Sequence, residues 1–175
     1  MRRAIDTVVM RRADAGQGLK TNRWAELIVA LALCLGVGLL GAIATRQSLS
    51  DWYPALRKPE WNPPSWLFGP VWSILYVSMA VSAWIVWRIR GPGGRLALSF
   101  FGLQLALNAV WSPLFFGFRS PALALVDIVF LWLAIVATII AFRRSSRPAA
   151  FMMLPYLAWV SFAASLNFEI WKLNS

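Results

Sequence analysis

Histidine is absent from the 175 residues, and cysteine occurs once, at Cys34. Without imidazole there is no His-ligated metal or haem, and no Ser-His or Cys-His catalysis. A lone thiol excludes an intramolecular disulfide. Charge is scarce too: 14% of residues are charged against 59% hydrophobic, with 7 acidic residues in all. No glycine-rich phosphate loop, nucleophile elbow or pair of carboxylates at helical spacing is present. What the chain has in abundance is apolar surface and 11 tryptophans. A soluble domain of this length could not cover that surface with so few charges, so lipid is the solvent implied.

Five stretches reach the roughly 20 residues that cross a bilayer. They run from about Trp24 to Thr45, Trp66 to Trp87, Leu96 to Phe116, Pro121 to Phe142 and Ala149 to Ile170. The expected fold is therefore all-α, an integral membrane bundle of five transmembrane helices over residues 24–175. Residues 1–23 form a basic leader, either disordered or lying on the surface as an amphipathic helix through Ile5, Val8, Val9 and Arg12. It lacks the apolar core of a signal peptide.

The net charge of +10 could suggest nucleic acid, but its placement is topogenic, and no nucleic-acid partner is expected. The leader and the turns at Arg88–Arg95 and Arg143–Arg147 share one side and hold most of the Lys and Arg. The other side has only Arg46, Arg57, Lys58, Arg119 and Lys172. The positive-inside rule then places the amino terminus in the cytoplasm and the carboxyl terminus outside. A bacterial cytoplasmic membrane is the expected host.

The connection over 46–65 is long and rich in aromatics and proline, whereas the others are short. It reads as a functional lid or as a plain spacer between distant helices. Ser65 is placed to cap the second helix. Three helix faces stand out at i, i+4, i+7 spacing. They are Trp72, Tyr76, Met79 and Ala83 in the second span, Gln104, Asn108 and Trp111 in the third, and Tyr156, Trp159, Ala163 and Leu166 in the fifth. The amides are costly toward lipid and should point inward. Such faces serve either as ordinary packing or as the walls of a site for a large planar apolar ligand. Trp24, Trp66, Trp84, Trp87 and Trp171 lie at span ends as interface anchors.

Asp127 is the one charge deep in a span. Alone, without a basic partner in another span, it reads as a hydrogen-bonded structural aspartate rather than a proton relay. Small residues at Ala30, Cys34, Gly38 and Ala42, and at Gly102 and Ala106, allow close helix approach, within the chain or at a homodimer seam.

The segments WYPALRKPEWNPPSWLFGPVWSILY (52–76), QLALNAVWSPLFFG (104–117), ALVD (124–127) and PYLAWVSFAASLNFEIW (155–171) resemble the TspO/translocator protein family, also called peripheral-type benzodiazepine receptor. The resemblance covers roughly residues 27–174. It implies a five-helix bundle, usually dimeric, that binds porphyrins, especially protoporphyrin, and in some members sterols and benzodiazepine-site ligands. Carried over by motif, the ligand site comprises Trp52, Tyr53, Trp61 and Asn62 of the loop, and Trp72 with Tyr76 on its face. Asn108 and Trp111 come from the third helix, and Trp159, Ala163 and Leu166 from the fifth. Glu60 stands where some members carry an aromatic, which implies a more polar lid. The sterol-recognition stretch has Phe168 where animal members have tyrosine while keeping the basic Lys172, and sterol binding is not expected. The leader is longer than the family usually carries.

The function expected is that of a membrane tetrapyrrole-binding protein, a sensor, regulator or carrier requiring no cofactor. Asn108 would offer its ligand a polar contact. The alternatives are a light-dependent porphyrin-degrading enzyme using Trp72 or Trp159, and a porphyrin transporter with Asp127 as its only candidate for ion coupling.

Overall fold

The computed structural model describes residues 22–46, 48–89 and 92–175, and the leader positions Ile5, Val8, Val9 and Arg12 lie outside them. Every regular element among the described residues is helical, and five helical segments are long and apolar enough to cross a membrane. The first, α1, spans Arg23–Arg46. Asn22 starts it, its side-chain oxygen accepting from the Trp24 N–H at 3.1 Å, while Glu26 in the first turn complements the helix dipole.

After α1 the chain makes a short helix, α2 (Trp52–Ala55), then a 3-10 turn at Ser65–Leu67 that leads into α3 (Phe68–Arg88). The expected Ser65 cap is not formed. Pro64 occupies the capping position, no side chain bonds the first turn, and the 3-10 turn tightens the helix start instead.

Helix α4 (Pro92–Ser112) ends in a π-helical turn at Pro113–Gly117. Pro113 has no N–H to give to the ladder. The chain widens by one residue there, and the Phe118 N–H reaches back five residues to the Pro113 carbonyl at 2.8 Å. Ser120 then caps α5 (Pro121–Ser145), accepting from the Leu123 N–H at 3.3 Å.

The fifth span is not one helix. It consists of α6 (Arg147–Met152) and α7 (Leu154–Asn174), separated at Met153. Pro155 is the cause. A continuous helix would lose the bond to the Phe151 carbonyl and push the ring against it.

Helix α4 packs along α5, α1 lies on α3 and α4, and α5 supports α7. Lipid gives helices little hydrophobic reason to associate, so close packing and interhelical hydrogen bonds hold the bundle. Gly38 lets α1 come down on the Tyr76 ring, and Cys34 is buried on the same face, so these two positions serve packing within the chain, while Ala42 is exposed. Gly102 and Ala106 face outward, and nothing approaches Gly102 within 4 Å. Ile28, Val29, Leu33, Leu39, Leu40 and Ile43 of α1 are likewise exposed, a lipid-facing surface.

Two serines decide where the bundle opens. The Ser82 hydroxyl donates to the Ala149 carbonyl at 2.7 Å and the Ser78 hydroxyl to the Met152 carbonyl at 2.8 Å. Both fasten α3 to α6, just before the Met153 break. Beyond it α3 and α7 touch only sparsely through their backbones, and side chains span the interval.

Candidate functional site

Aromatic rings fill that interval. Trp72 stacks on Tyr76 one turn away at 5.4 Å and meets Tyr156 of α7 edge-on at 6.1 Å. Phe68 meets Trp159 edge-on at 5.8 Å, and Trp159 in turn contacts Phe162 at 5.5 Å. Beneath them the Tyr76 hydroxyl donates to Asn108 Oδ1 at 2.6 Å, and Asn108 Nδ2 donates to the Tyr156 hydroxyl at 3.1 Å. This chain joins α3, α4 and α7. The Trp159 indole N–H is buried and has no acceptor. An unpaired donor in such surroundings costs about 1–3 kcal/mol, and a bound acceptor would recover that cost.

The loop above lies folded over this end of the bundle as a lid. Trp52 and Tyr53 of α2 sit on Phe115 at 5.6 and 6.4 Å, and Trp61 covers Phe162 at 5.7 Å. Inside the lid the Tyr53 hydroxyl donates to Asn62 Oδ1 at 3.2 Å. Burial pushes the Tyr53 hydroxyl above its ordinary pKa despite that bond, so it remains a donor. Three tethers pin the lid to the bundle. Ser48 Oγ donates to the Phe116 carbonyl at 2.6 Å, and Asp51 pairs with Arg119 at 2.7 Å. The Asn174 side chain accepts from the Arg57 N–H at 3.0 Å and donates to the Arg57 carbonyl at 2.9 Å. Arg119 makes its pair from a left-handed backbone, φ 53°, which is rare for a side chain of this size.

The Asp51 latch has a defined pH response. The Trp52 N–H and then the Arg119 guanidinium hold its carboxyl below the ordinary 3.8. A depressed folded pKa contributes above the unfolded value and is lost as pH falls through the folded one. Hydrogen exchange of residues 48–60, corrected for intrinsic rate, should therefore not vary between about pH 5 and 8. Asp51→Asn should speed it only a few-fold, since half-exposed pairs are weak.

The residues expected from sequence are brought together, in two neighbouring groups. Trp72, Tyr76, Asn108, Trp159 and Ala163 belong to the interval between α3 and α7, where Trp61 and Asn62 close the lid. Trp52, Tyr53 and Leu166 pack instead around Phe115 and Phe116, and Trp111 touches both groups. Trp111 is stacked on Phe115 at 5.0 Å, and its indole N–H is already given to Asn167 at 3.2 Å. Asn108 is likewise occupied by the two tyrosines. The Trp159 indole N–H, by contrast, is buried without a partner. Gln104 points inward as expected but neither end of its amide finds a partner. Asp127 is buried with Oδ2 unpaired, which corrects the expectation of a hydrogen-bonded aspartate. Sequence reasoning missed Phe68, Phe115, Phe116, Phe162 and Asn167. Phe115 and Phe162 were within reach, being four and three residues from Trp111 and Trp159 on the same faces.

The TspO/MBR family model matches residues 30–172, which include all three inward faces and the lid. The chain belongs to the TspO/MBR family. It is 46% identical over 153 residues to the "Tryptophan-rich protein TspO" of Chlorobaculum tepidum, covering 85% of this chain and 95% of that one. It is 42% identical over 140 residues to the "Translocator protein" of Bos taurus, covering 78% and 83%. With the "Tryptophan-rich sensory protein" of Cereibacter sphaeroides it shares 40% over 154 residues, covering 86% and 92%. A TspO/MBR protein with this bundle is an integral membrane protein, and its tryptophans divide by place. Trp24, Trp66 and Trp87 are exposed at span ends, whereas Trp72, Trp111 and Trp159 are turned into the bundle.

Proposed function

We propose that this TspO-family protein is a membrane tetrapyrrole-binding protein, a sensor or carrier, and that its ligand is metal-free protoporphyrin. The observation that carries the reading is the buried, unpartnered indole N–H of Trp159, set among the rings of Phe68, Trp72 and Phe162 under a latched lid. A flat apolar macrocycle with polar edges suits ring faces with one donor among them. The rings are in contact with one another, so a ligand must part Trp159 from Phe68 and lift Trp61 off Phe162. The absence of histidine removes the commonest axial ligand for haem iron, which favours the metal-free ring. The names of two relatives, "Tryptophan-rich sensory protein" and "Translocator protein", are in keeping with this reading.

A second reading, light-dependent porphyrin degradation, draws on the contact of Trp72 with Tyr76 and Tyr156, three oxidisable side chains in series. One experiment addresses both. Protoporphyrin titrated into detergent-purified protein in the dark should quench tryptophan fluorescence saturably. Trp72→Ala and Trp159→Ala should each weaken binding about tenfold, as expected for loss of an aromatic contact and its buried area. Trp159→Phe, which keeps the ring and deletes the donor, should cost about fivefold. Linear quenching that no substitution alters would mean partition into the micelle and would end the proposal. Under light, oxygen-dependent conversion to one product, abolished by Trp72→Phe with binding retained, would establish the enzyme reading.

A further inference from the structure

Entry to the aromatic site requires Trp61 to leave Phe162, and only one part of the lid carries Trp61. Residues 48–56 are the lid's root. Ser48 and Asp51 are tied to Phe116 and Arg119, while Trp52, Tyr53 and Leu56 pack on the cluster around Phe115. Residues 57–64 bear Trp61 and hold their own shape. Pro59, Pro63 and Pro64 have fixed φ angles, and the Asn62 N–H donates to the Pro59 carbonyl at 3.0 Å, closing a turn. A segment built this way moves as one piece about the residues that join it to the root.

The bonds from this segment to the root have slack. Lys58 Nζ donates to the Pro54 and Leu56 carbonyls at 3.3 and 2.9 Å, but on a flexible four-carbon stem. The Tyr53 hydroxyl meets Asn62 Oδ1 at 3.2 Å, which is long for an O–H donor. The hold on the bundle is tighter. Asn174, in the last turn of α7, takes the Arg57 residue by both its backbone groups, accepting from the N–H at 3.0 Å and donating to the carbonyl at 2.9 Å. Asn174 Nδ2 also donates to the Ile170 carbonyl at 2.7 Å. Ile170 is buried in the Phe115 cluster, so its carbonyl is a fixed point that keeps the Asn174 amide aimed at the lid.

We infer that residues 57–64 are a flap that opens to admit ligand to the aromatic site, and that Asn174 is the catch that holds it shut. The inference rests on the ligand site proposed above, and Asn174 itself touches no ligand. Once the ligand is in, the flap recloses and the two Arg57–Asn174 bonds form again. The catch therefore holds the empty and the filled site shut alike. A contact made equally in both states cancels in the affinity and appears in both rates.

Indole N–H exchange of the full chain in detergent, followed by nuclear magnetic resonance, tests the catch without any ligand. The Trp159 N–H is buried and unbonded, so its exchange waits on an opening that admits water. The Trp111 N–H, held by Asn167, is the control. Asn174→Ala should speed exchange at Trp159 about fivefold, the scale of two exposed hydrogen bonds, and leave Trp111 unchanged. Protoporphyrin mixed with the same protein in the dark should associate and dissociate about fivefold faster at unchanged Kd, whereas Trp159→Ala changes Kd. Exchange at Trp159 that ignores Asn174→Ala would overturn the inference, and so would exchange that rises equally at Trp111. A Kd altered by Asn174→Ala, or saturable quenching whose rates the substitution leaves alone, would overturn it too. Failure of the tetrapyrrole reading looks different. Quenching would then be linear in every variant while Trp159 exchange still answered to Asn174→Ala, which would keep the catch and discard the ligand.

Discussion

Gly38→Val is expected to cost several kcal/mol and to abolish ligand binding, although residue 38 touches no ligand in the proposed site. A Cβ at Gly38 would stand 2.6 Å from Tyr76 Cε2 and 2.8 Å from Cδ2, far inside van der Waals contact. The ring cannot retreat. It is stacked on Trp72 and its hydroxyl is tied to Asn108. Either α1 lifts off α3, or Tyr76 moves and leaves Asn108 short of a partner. Overpacking alone costs about 1–3 kcal/mol. Stranding a buried polar group adds a further 1–3 or so. Neighbouring glycines calibrate the result. Gly36→Val should be neutral, because nothing lies within 4 Å of the added carbon. Gly41→Ala should fall between them, its only close neighbour at 3.1 Å being the Ser112 hydroxyl. Thermal unfolding in detergent, with protoporphyrin quenching on the same samples, gives the ranking. A Gly38→Val protein as stable as Gly36→Val would show that α1 does not rest on Tyr76.

The five spans were legible because a bilayer imposes a length and a composition that few other segments share. Where they bend was not. Pro113 and Pro155 sit within apolar runs that read as unbroken, and hydropathy is blind to a missing N–H. Yet these two prolines set the π-helical turn and the Met153 break, and the break separates α3 from α7. The inward direction of Gln104, Asn108 and Trp111 was legible, since amides avoid lipid. Which of them is already satisfied was not. Spacing on one helix shows that Asn108 faces in, but not that Tyr76 and Tyr156 from two other helices take both ends of its amide. Trp111 and Trp159 look alike in sequence. Only the position of Asn167 makes one indole satisfied and leaves the other free. Phenylalanine carries the least signal of all. Phe162 inside and Phe168 outside differ by their place on α7, not by their neighbours in the chain.

Asn108→Leu should be the most damaging single substitution that keeps the branched shape of the side chain. It removes two interhelical hydrogen bonds and strands the hydroxyls of Tyr76 and Tyr156, both nearly inaccessible. Measured as deleted pairs, bonds between membrane helices average about 0.6 kcal/mol each, which would make the loss small. Measured as buried orphans, each hydroxyl costs about 1–3 kcal/mol, and there are two. The orphan cost should dominate, because neither ring can turn its oxygen outward. Tyr76 is buried against both Gly38 and Trp72, and Tyr156 is wholly enclosed. The two accounts diverge in a multiple-substitution cycle. If orphans dominate, Tyr76→Phe and Tyr156→Phe introduced on top of Asn108→Leu should restore most of the lost stability. If the pairs themselves supply the energy, the triple variant should be no more stable than Asn108→Leu alone. Restoration would also bear on the ligand. It would mean that the three polar groups serve one another and hold α3, α4 and α7 in register, leaving Trp159 as the donor free to meet what enters from the lid.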